Sequence, residues 1–161
     1  MLVDISNIIK TKGSKDFSFN EPLMDIEDSV KLEFREDPVV TGTVTADEHE
    51  ALVKGHLSGV IKEKCSRCLD DIEYPLEVDF EGTFAEKENL EEDIYGYTSS
   101  VIVIDRMVLD AISLELPGQY LCREDCKGLC PKCGVNRNRE KCNCDTLPDE
   151  NNPFAKLKDL F

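Results

Sequence analysis

Six of the eight cysteines in this chain lie between Cys122 and Cys144, at spacings that suit the binding of a metal ion. Their pattern is C-x3-C-x3-C-x2-C-x8-C-x-C. The pair Cys130 and Cys133, in the stretch CPKCG, is the strongest element, because a two-residue gap lets both thiolates reach one ion across a tight turn. Gly134 follows directly and supplies the backbone freedom that such a turn needs. The cluster therefore predicts a metal site with thiolate ligands.

The redox compartment decides whether such cysteines hold a metal or form disulfides. The N-terminal stretch MLVDISNIIKTKGSKDF has no basic region followed by an apolar run and a cleavage site, so it does not resemble a secretory signal. The longest apolar run, residues 101–104, is far too short to span a membrane. We therefore expect a cytoplasmic protein, and in a reducing compartment zinc is favoured over disulfides.

A zinc ion takes four ligands, so six cysteines exceed what one site needs. The first three cysteines of the cluster are each four residues apart, which on a helical turn would place them on one face. Cys142 and Cys144 are two apart, which gives the same result on an extended strand. We predict one four-coordinate, all-thiolate site centred on the CPKCG pair. It is completed by one or both of Cys122 and Cys126 and, as a further option, by one of the last two cysteines.

A separate pair, Cys65 and Cys68, stands outside the cluster in the stretch CSRC. It has three interpretations: a second metal site, additional ligands of the site that contains Cys130 and Cys133, or a turn with two ordinary thiols. A single CxxC pair does not decide among them. A thioredoxin-like redox role is disfavoured, because that motif opens a helix whereas strand-like sequence follows here.

Motifs of the common enzyme classes do not occur in the sequence. His49 and His56 are its only histidines, and neither heads the H-x-E motif of a zinc deaminase. No P-loop, dinucleotide-binding fingerprint or Ser-His-Asp set is recognisable. We interpret both histidines as structural, and we expect no enzymatic activity and no small-molecule substrate.

The distribution of charge separates the cysteine cluster from the rest of the chain. The formal net charge of −15 excludes a protein that coats nucleic acid non-specifically. Residues 119–144, however, contain six bases and three acids, so the remainder carries a formal −18. This asymmetry allows a local RNA contact, or a basic protein partner for the acidic remainder. The candidate phosphate-binding side chains are those of Arg67, Arg123, Lys127, Lys132, Arg137, Arg139 and Lys141.

Short, often alternating runs rich in Val, Ile, Thr and Phe predict strands in the first half of the chain. The predicted strands are residues 15–19, 30–34, 39–45, 51–64 and 72–84. The last two form a hairpin with the CSRC pair at its tip. Gly55 and Gly59 predict bulges or bends, and Pro75 favours an edge or a bulge. Residues 86–93 are acidic and predict a solvated loop.

One more strand, residues 99–104, precedes a helix from Arg106 to about Leu116. Asp105 is predicted as the N-cap of this helix, and the Pro-Gly pair that follows ends it. A further amphipathic helix is predicted in the terminal stretch NNPFAKLKDLF, where it docks on the body or on a partner.

These elements predict an α+β fold. It consists mainly of an antiparallel sheet or partly open barrel, with one or two helices and a C-terminal cysteine-rich zinc module. We divide the chain into a β-rich body, residues 1–118, and the cysteine-rich module with the terminal helix, residues 119–161. The two are expected to form one compact unit.

Four stretches together resemble one known family: CSRC on a hairpin, IDRMVLDAISLELP, LCREDCKGLCPKCG and the closing NPFAKLKDLF. The chain is similar to the YceD-like family, the large ribosomal RNA subunit accumulation proteins of bacteria and plastids, from about Val60 to Phe161. The resemblance implies a non-enzymatic factor for 23S ribosomal RNA accumulation, acting in ribosome assembly or precursor processing. Because some members lack the C-terminal cluster, it also implies that the shared function lies in the sheet, Cys65, Arg67, Cys68 and the helix from Arg106.

Three functions follow from the sequence. The first is a ribosome-biogenesis factor with a structural zinc, which binds the large-subunit ribosomal RNA precursor or a basic large-subunit ribosomal protein. The second is an acidic adaptor or chaperone for such a ribosomal protein, attracted by the charge of the body. The third is a thiol redox or metal-sensing protein, which would need reactive thiols or exchangeable metal.

Overall fold

The computed structural model describes residues 1–27, 29–47, 50–86 and 94–144. Its elements are β1 (Leu2–Asp4), α1 (Ser6–Thr11), β2 (Ser14–Asn20), β3 (Val39–Ala46), β4 (Glu50–Lys64), β5 (Asp71–Glu86), β6 (Tyr95–Tyr97), β7 (Val101–Val103) and α2 (Asp105–Glu115). One sheet has the order β2-β3-β4-β5-β6, and β1 pairs with β7. All pairs are antiparallel except β5 with β6. The predicted α+β class with an open, mainly antiparallel sheet is confirmed.

Strands β4 and β5 form the long hairpin on which the rest of the fold is assembled. Their register is continuous from Glu50 opposite Ala85 to Lys64 opposite Asp71. Side chains alternate between the two faces of a sheet, and the core face of this hairpin carries Leu57, Ile61 and Val78, which are buried. The predicted hairpin is therefore confirmed, and its tip lies at the CSRC stretch.

Helix α2 covers the core face of the sheet with Met107, Val108 and Ile112, all buried. Its bounds agree with the predicted helix, but the predicted cap is wrong. Ile104 is the N-cap and makes no side-chain capping bond. Asp105 is instead fully buried, where it accepts hydrogen bonds from the Met24 amide at 2.9 Å and from the α-amino group of Met1 at 2.5 Å. The pairing of β1 with β7 brings that amino group to the start of the helix.

Several predicted elements differ in the structure. Residues 30–34 form no strand; only Phe34 makes an isolated bridge, to Ile61, while the apolar side chains of this segment pack on the core. The elements β1, α1 and β6 were not predicted, because three to six residues carry too little periodicity. Residues 87–93 of the predicted loop and the predicted terminal helix lie outside the described residues.

The glycines of β4 make room for aromatic rings rather than bulges, so the predicted bulges are wrong. A Cβ on Gly55 would lie 2.4 Å from the ring of Phe80 and 2.5 Å from the Thr41 carbonyl oxygen. A Cβ on Gly59 would lie 2.9 Å from the ring of Phe34. Pro75 lies at an edge as predicted, because β6 pairs only with residues 84–86 of β5.

Replacing Gly55 by Ala should lower the free energy of unfolding by about 2–3 kcal/mol, because the backbone oxygen of Thr41 cannot move away from the new methyl group. Gly118→Ala is the matched control, since nothing lies within 4 Å of its added Cβ. Urea unfolding of the two variants measures the difference. Equal stabilities would contradict the close packing at Gly55.

On the solvent face, His56 lies between two carboxylates of β5. Its Nδ1 is 2.6 Å from Asp79 Oδ1, and its Nε2 is 2.7 Å from Glu77 Oε2. The hydrogen bonds to Asp79 and then Glu77 raise the pKa of His56 above its ordinary 6.5. Because the folded pKa is the higher one, charged His56 stabilises the fold below pH 6.5, and this contribution is lost as the pH rises through the folded pKa.

We expect the NMR titration midpoint of the His56 ring to lie above 6.5 and to fall in Asp79→Asn. A His49→Gln background separates its resonance from that of the other histidine. A midpoint that is the same with and without the Asp79 carboxylate would show that the pair does not form in solution.

Candidate metal centres

The tip of the β4–β5 hairpin holds Cys65 and Cys68 against the segment that follows α2. The turn is closed by the Cys65 amide, which donates to the Asp70 carbonyl at 2.8 Å. The Ser66 amide donates to the Tyr120 carbonyl at 2.7 Å, and the Tyr120 amide donates to Ser66 Oγ at 3.0 Å. These reciprocal bonds bring the start of the cysteine-rich segment to the hairpin tip.

The first group of cysteines, Cys65, Cys68, Cys122 and Cys126, places its four Sγ atoms within 4.8 Å of one another. The Sγ atoms of Cys65 and Cys126 are 3.8 Å apart, and those of Cys68 and Cys122 are 3.7 Å apart. A tetrahedron with Zn–S bonds of about 2.3 Å has edges of about 3.8 Å, whereas a disulfide needs about 2.05 Å. The four thiols therefore have the spacing of a tetrahedral metal site and not of disulfides.

The second group, Cys130, Cys133, Cys142 and Cys144, also places its four Sγ atoms within 4.8 Å of one another. Its first pair lies on a tight turn, in which the Gly134 amide donates to the Cys130 carbonyl at 2.8 Å. Gly134 has a φ of 73°, the left-handed conformation that glycine adopts without strain. The knuckle predicted for CPKCG is therefore present, and it can hold a metal.

The grouping of the cysteines differs from the single site that we predicted. Cys122 and Cys126 do not join Cys130 and Cys133; they join the hairpin pair, and all eight cysteines are divided into two groups of four. No helix places Cys122, Cys126 and Cys130 on one face, because Gly128 turns the chain at a φ of 68°. The Leu129 amide then donates to the Arg67 carbonyl at 2.9 Å, which holds the chain between the two groups against the hairpin tip.

In the first group the surroundings lower the pKa of two thiols, Cys65 and Cys126, and raise the pKa of the other two, Cys68 and Cys122. The backbone N–H of Cys122 lowers the pKa of Cys65 to about 6. The Asp70 N–H favours the Cys68 thiolate, but burial and the neighbouring thiols outweigh it and raise the pKa of Cys68 to about 12. A second negative charge is unfavourable beside the first unless a cation binds between them.

In the second group one thiolate is favoured and one is opposed. The backbone N–H groups of Cys133 and Lys132 lower the pKa of Cys130 to about 6. The Cys133 side chain and burial raise the pKa of Cys144 to about 11. Both groups are therefore chemically suited to a cation that lets all four thiols ionise.

Three of the predicted phosphate-binding cations are engaged within the protein. Arg67 donates to the backbone carbonyls of Glu124 and Cys126, each at 3.3 Å. Arg139 pairs with Asp70 at 2.8 Å. Arg123 pairs with Asp125 at 3.3 Å and also donates to Asn138 Oδ1 at 2.9 Å. Their side chains position the loops around the first group.

The other four predicted cations are exposed, and they form no ion pair with the residues that the structure describes. They are Lys127, Lys132, Arg137 and Lys141. Three residues that were not predicted link the two groups by hydrogen bonds: Asp70, Asn136 and Asn138. The signal that could have indicated the two asparagines was the polar run NRNR between the two ligand pairs of the second group.

The fold and the two groups define a class of protein. It is a small α+β protein in which the hairpin tip and a cysteine-rich segment each contribute two cysteines to one group. The chain belongs to the family described as large ribosomal RNA subunit accumulation protein YceD, whose model matches residues 53–161. The predicted family is thereby confirmed. In the described ranges, no helix is both long and apolar enough to cross a membrane.

Two mycobacterial proteins are similar to parts of this chain in sequence. An uncharacterized protein of Mycobacterium tuberculosis is 37% identical over 90 residues, 52% of this chain and 44% of that protein. One of Mycobacterium leprae is 31% identical over 99 residues, 58% of this chain and 46% of that protein. The chain thus spans less than half the length of these relatives.

A plant protein is similar over a shorter stretch. The chloroplastic large ribosomal RNA subunit accumulation protein YCED homolog 1 of Arabidopsis thaliana is 42% identical over 43 residues, 27% of this chain and 13% of that protein. No solved structure matches the chain.

Elemental analysis of the purified chain should find two metal ions, one for each cysteine group. Cys65→Ser and Cys133→Ser should each retain one ion, because each variant disrupts only one group. A wild-type chain with a single ion, or a Cys65→Ser variant with two, would contradict the division into two groups. Tight, stoichiometric metal would also remove the thiol redox alternative.

Proposed function

We propose that this chain is a non-enzymatic ribosome-biogenesis factor that supports the accumulation and processing of 23S ribosomal RNA in the cytoplasm. The family description supports the link to large-subunit ribosomal RNA. The name of the plant relative supports the same link. The contacts described above support a division of labour in which the thiol groups hold the structure and exposed cations contact the RNA.

The metal that we propose for both groups is zinc in a structural role. Four cysteines at these spacings suit tetrahedral Zn²⁺, which has a high affinity for thiolates. A shell filled by four protein ligands leaves no open position for water or substrate, which is the arrangement of structural rather than catalytic zinc. This closed shell supports a protein without enzymatic activity.

Zinc in the first group would join two distant parts of the chain. Cys65 and Cys68 belong to residues 1–118, and Cys122 and Cys126 belong to residues 119–161. We propose that these two parts form one compact unit, because each supplies half of the ligands. Metal binding then contributes directly to folding, as it does in other structural zinc sites.

The observation that carries the RNA-binding proposal is the set of exposed cations on and beside the second group. Lys127, Lys132, Arg137 and Lys141 have no ion pair among the described residues, whereas most bases of the sheet face are neutralised. Such cations suit a phosphate backbone, since each contact releases a counterion. Four cations would contact RNA locally rather than coat it.

Replacing Lys132, Arg137 and Lys141 together by Gln should weaken binding to a transcribed large-subunit ribosomal RNA fragment by about 10-fold and lower the salt slope of log Kd by about 2, because three phosphate contacts are lost. The control removes the same charge from the body, in Lys10→Gln, Lys31→Gln and Lys54→Gln together. Filter binding at several salt concentrations measures both quantities.

If the module variant and the body variant bind RNA with equal affinity and equal salt dependence, the direct RNA contact is refuted. The metal content of both variants must match that of the wild-type chain. This control separates a lost phosphate contact from a lost fold.

A second candidate is the acidic adaptor for a basic large-subunit ribosomal protein. It is favoured by one observation, the formal charge of −18 outside residues 119–144. The solvent face of β5 contributes five exposed acids to this charge, although each of them pairs with a basic side chain of the same chain: Asp71, Glu73, Glu77, Asp79 and Glu81. A basic protein that copurifies after nuclease treatment and dissociates in salt would support this candidate over RNA binding.

A further inference from the structure

The loop between the two ligand pairs of the second group, residues 134–141, lies against the first group. The Asn138 side chain makes the closest link, because its Nδ2 donates to the Cys126 Sγ at 3.3 Å. Its Oδ1 accepts hydrogen bonds from the Lys127 amide and from Arg123 Nη2, both at 2.9 Å. One amide side chain thus contacts a thiol of the first group and holds the loop that carries Cys122 and Cys126.

A second set of contacts reaches the hairpin side of the first group. Asn136 Nδ2 donates to the two carboxylate oxygens of Asp70 at 3.2 and 3.3 Å, and Arg139 Nη2 donates to Asp70 Oδ1 at 2.8 Å. The Asp70 carbonyl in turn accepts the Cys65 amide at 2.8 Å. The loop of the second group therefore supports both halves of the first group.

The ends of this loop are fixed by ligands of the second group. Cys133 precedes it and Cys142 follows it. Within the loop, the Arg139 and Glu140 amides donate to the Asn136 carbonyl at 3.0 Å. Also, the Asn138 amide donates to Asn136 Oδ1 at 3.0 Å. A metal that binds both ends removes the entropy of closing the loop, so the two asparagines are already in position when the first group binds its metal.

Asn138 is suited to tune a metal–thiolate site. An N–H donor to a ligand sulfur withdraws part of its negative charge and orients it, and removal of such a partner commonly weakens metal binding 10–100-fold. Asn138 Nδ2 donates to the Cys126 Sγ at 3.3 Å, and a hydrogen bond donated to a charged acceptor is stronger than one to a neutral acceptor. The contact therefore favours the thiolate form that a metal requires.

We infer that the two metal sites are coupled through the loop 134–141, with Asn138 as the positioning residue, so that metal in the second group strengthens metal binding in the first. This inference rests on the metal binding proposed above for both groups. Coupling between two binding equilibria is reciprocal, so metal in the first group must strengthen binding in the second by the same factor.

The coupling factor can be measured by competition with a chromophoric zinc chelator. The affinity of the first group alone is obtained from the variant Cys133→Ser/Cys142→Ser, and that of the second group alone from Cys65→Ser/Cys68→Ser. The wild-type chain gives the overall constant for two zinc ions. The overall constant divided by the product of the two single-site constants is the coupling factor, which we expect to be about 10 or more.

Asn138→Ala and Asn143→Ala form the matched pair of tests. Asn138→Ala keeps all eight ligands and should reduce the overall constant about 10-fold. Asn143 is exposed and lies between two ligands of the second group, and Asn143→Ala should leave the overall constant unchanged. This comparison tests the positioning role of Asn138 without any change to a ligand.

The outcomes separate the two proposals. A wild-type chain that binds no zinc overturns metal binding itself and the coupling with it. Two tightly bound ions with a coupling factor near one, or an Asn138→Ala variant with the wild-type overall constant, overturn the coupling alone and leave the two sites in place.

Discussion

The structure depends on the convergence of four thiols from two places that are far apart in the sequence. The hairpin tip supplies Cys65 and Cys68, and the segment after α2 supplies Cys122 and Cys126. Four thiols, three buried and one exposed, whose Sγ atoms lie within 4.8 Å of one another, are unfavourable as a set of thiolates, because their charges repel. A divalent cation reverses the sign of this interaction. The same four atoms then become the strongest link between the sheet and the cysteine-rich segment.

The sheet serves this convergence by holding the hairpin tip rigid. Fifteen residues of β4 pair without interruption with β5. The CSRC turn therefore lies at the end of a long, continuously paired hairpin whose core face is buried. The close packing of aromatic rings over Gly55 and Gly59 allows this length without a bulge. The segment from Tyr120 onward packs against this tip through the hydrogen bonds between Ser66 and Tyr120. The second group orders the remainder of that segment and presents its cations to solvent.

Local patterns predicted much of this fold. Three features each depend on residues within a few positions of one another. They are the alternation of apolar and polar residues in β4 and β5, the apolar face of α2 and the CPKCG knuckle. The short elements β1, α1 and β6 were missed because they carry too little periodicity, and two other failures were long-range. Asp105 stands at the position where an N-cap is expected. In the structure it is buried and accepts a hydrogen bond from the α-amino group of Met1, which is 104 residues away. The partner pair of CSRC could not be identified either, because spacing within the C-terminal cluster permits several sets of four ligands.

Zinc K-edge X-ray absorption of the purified chain tests most directly whether zinc with four sulfur ligands occupies each group, as we propose. We predict a single shell of four sulfur atoms at about 2.3 Å for both ions. A shell with nitrogen or oxygen ligands at about 2.0 Å, or a chain without zinc, would contradict the two thiolate centres on which the rest of the structure depends.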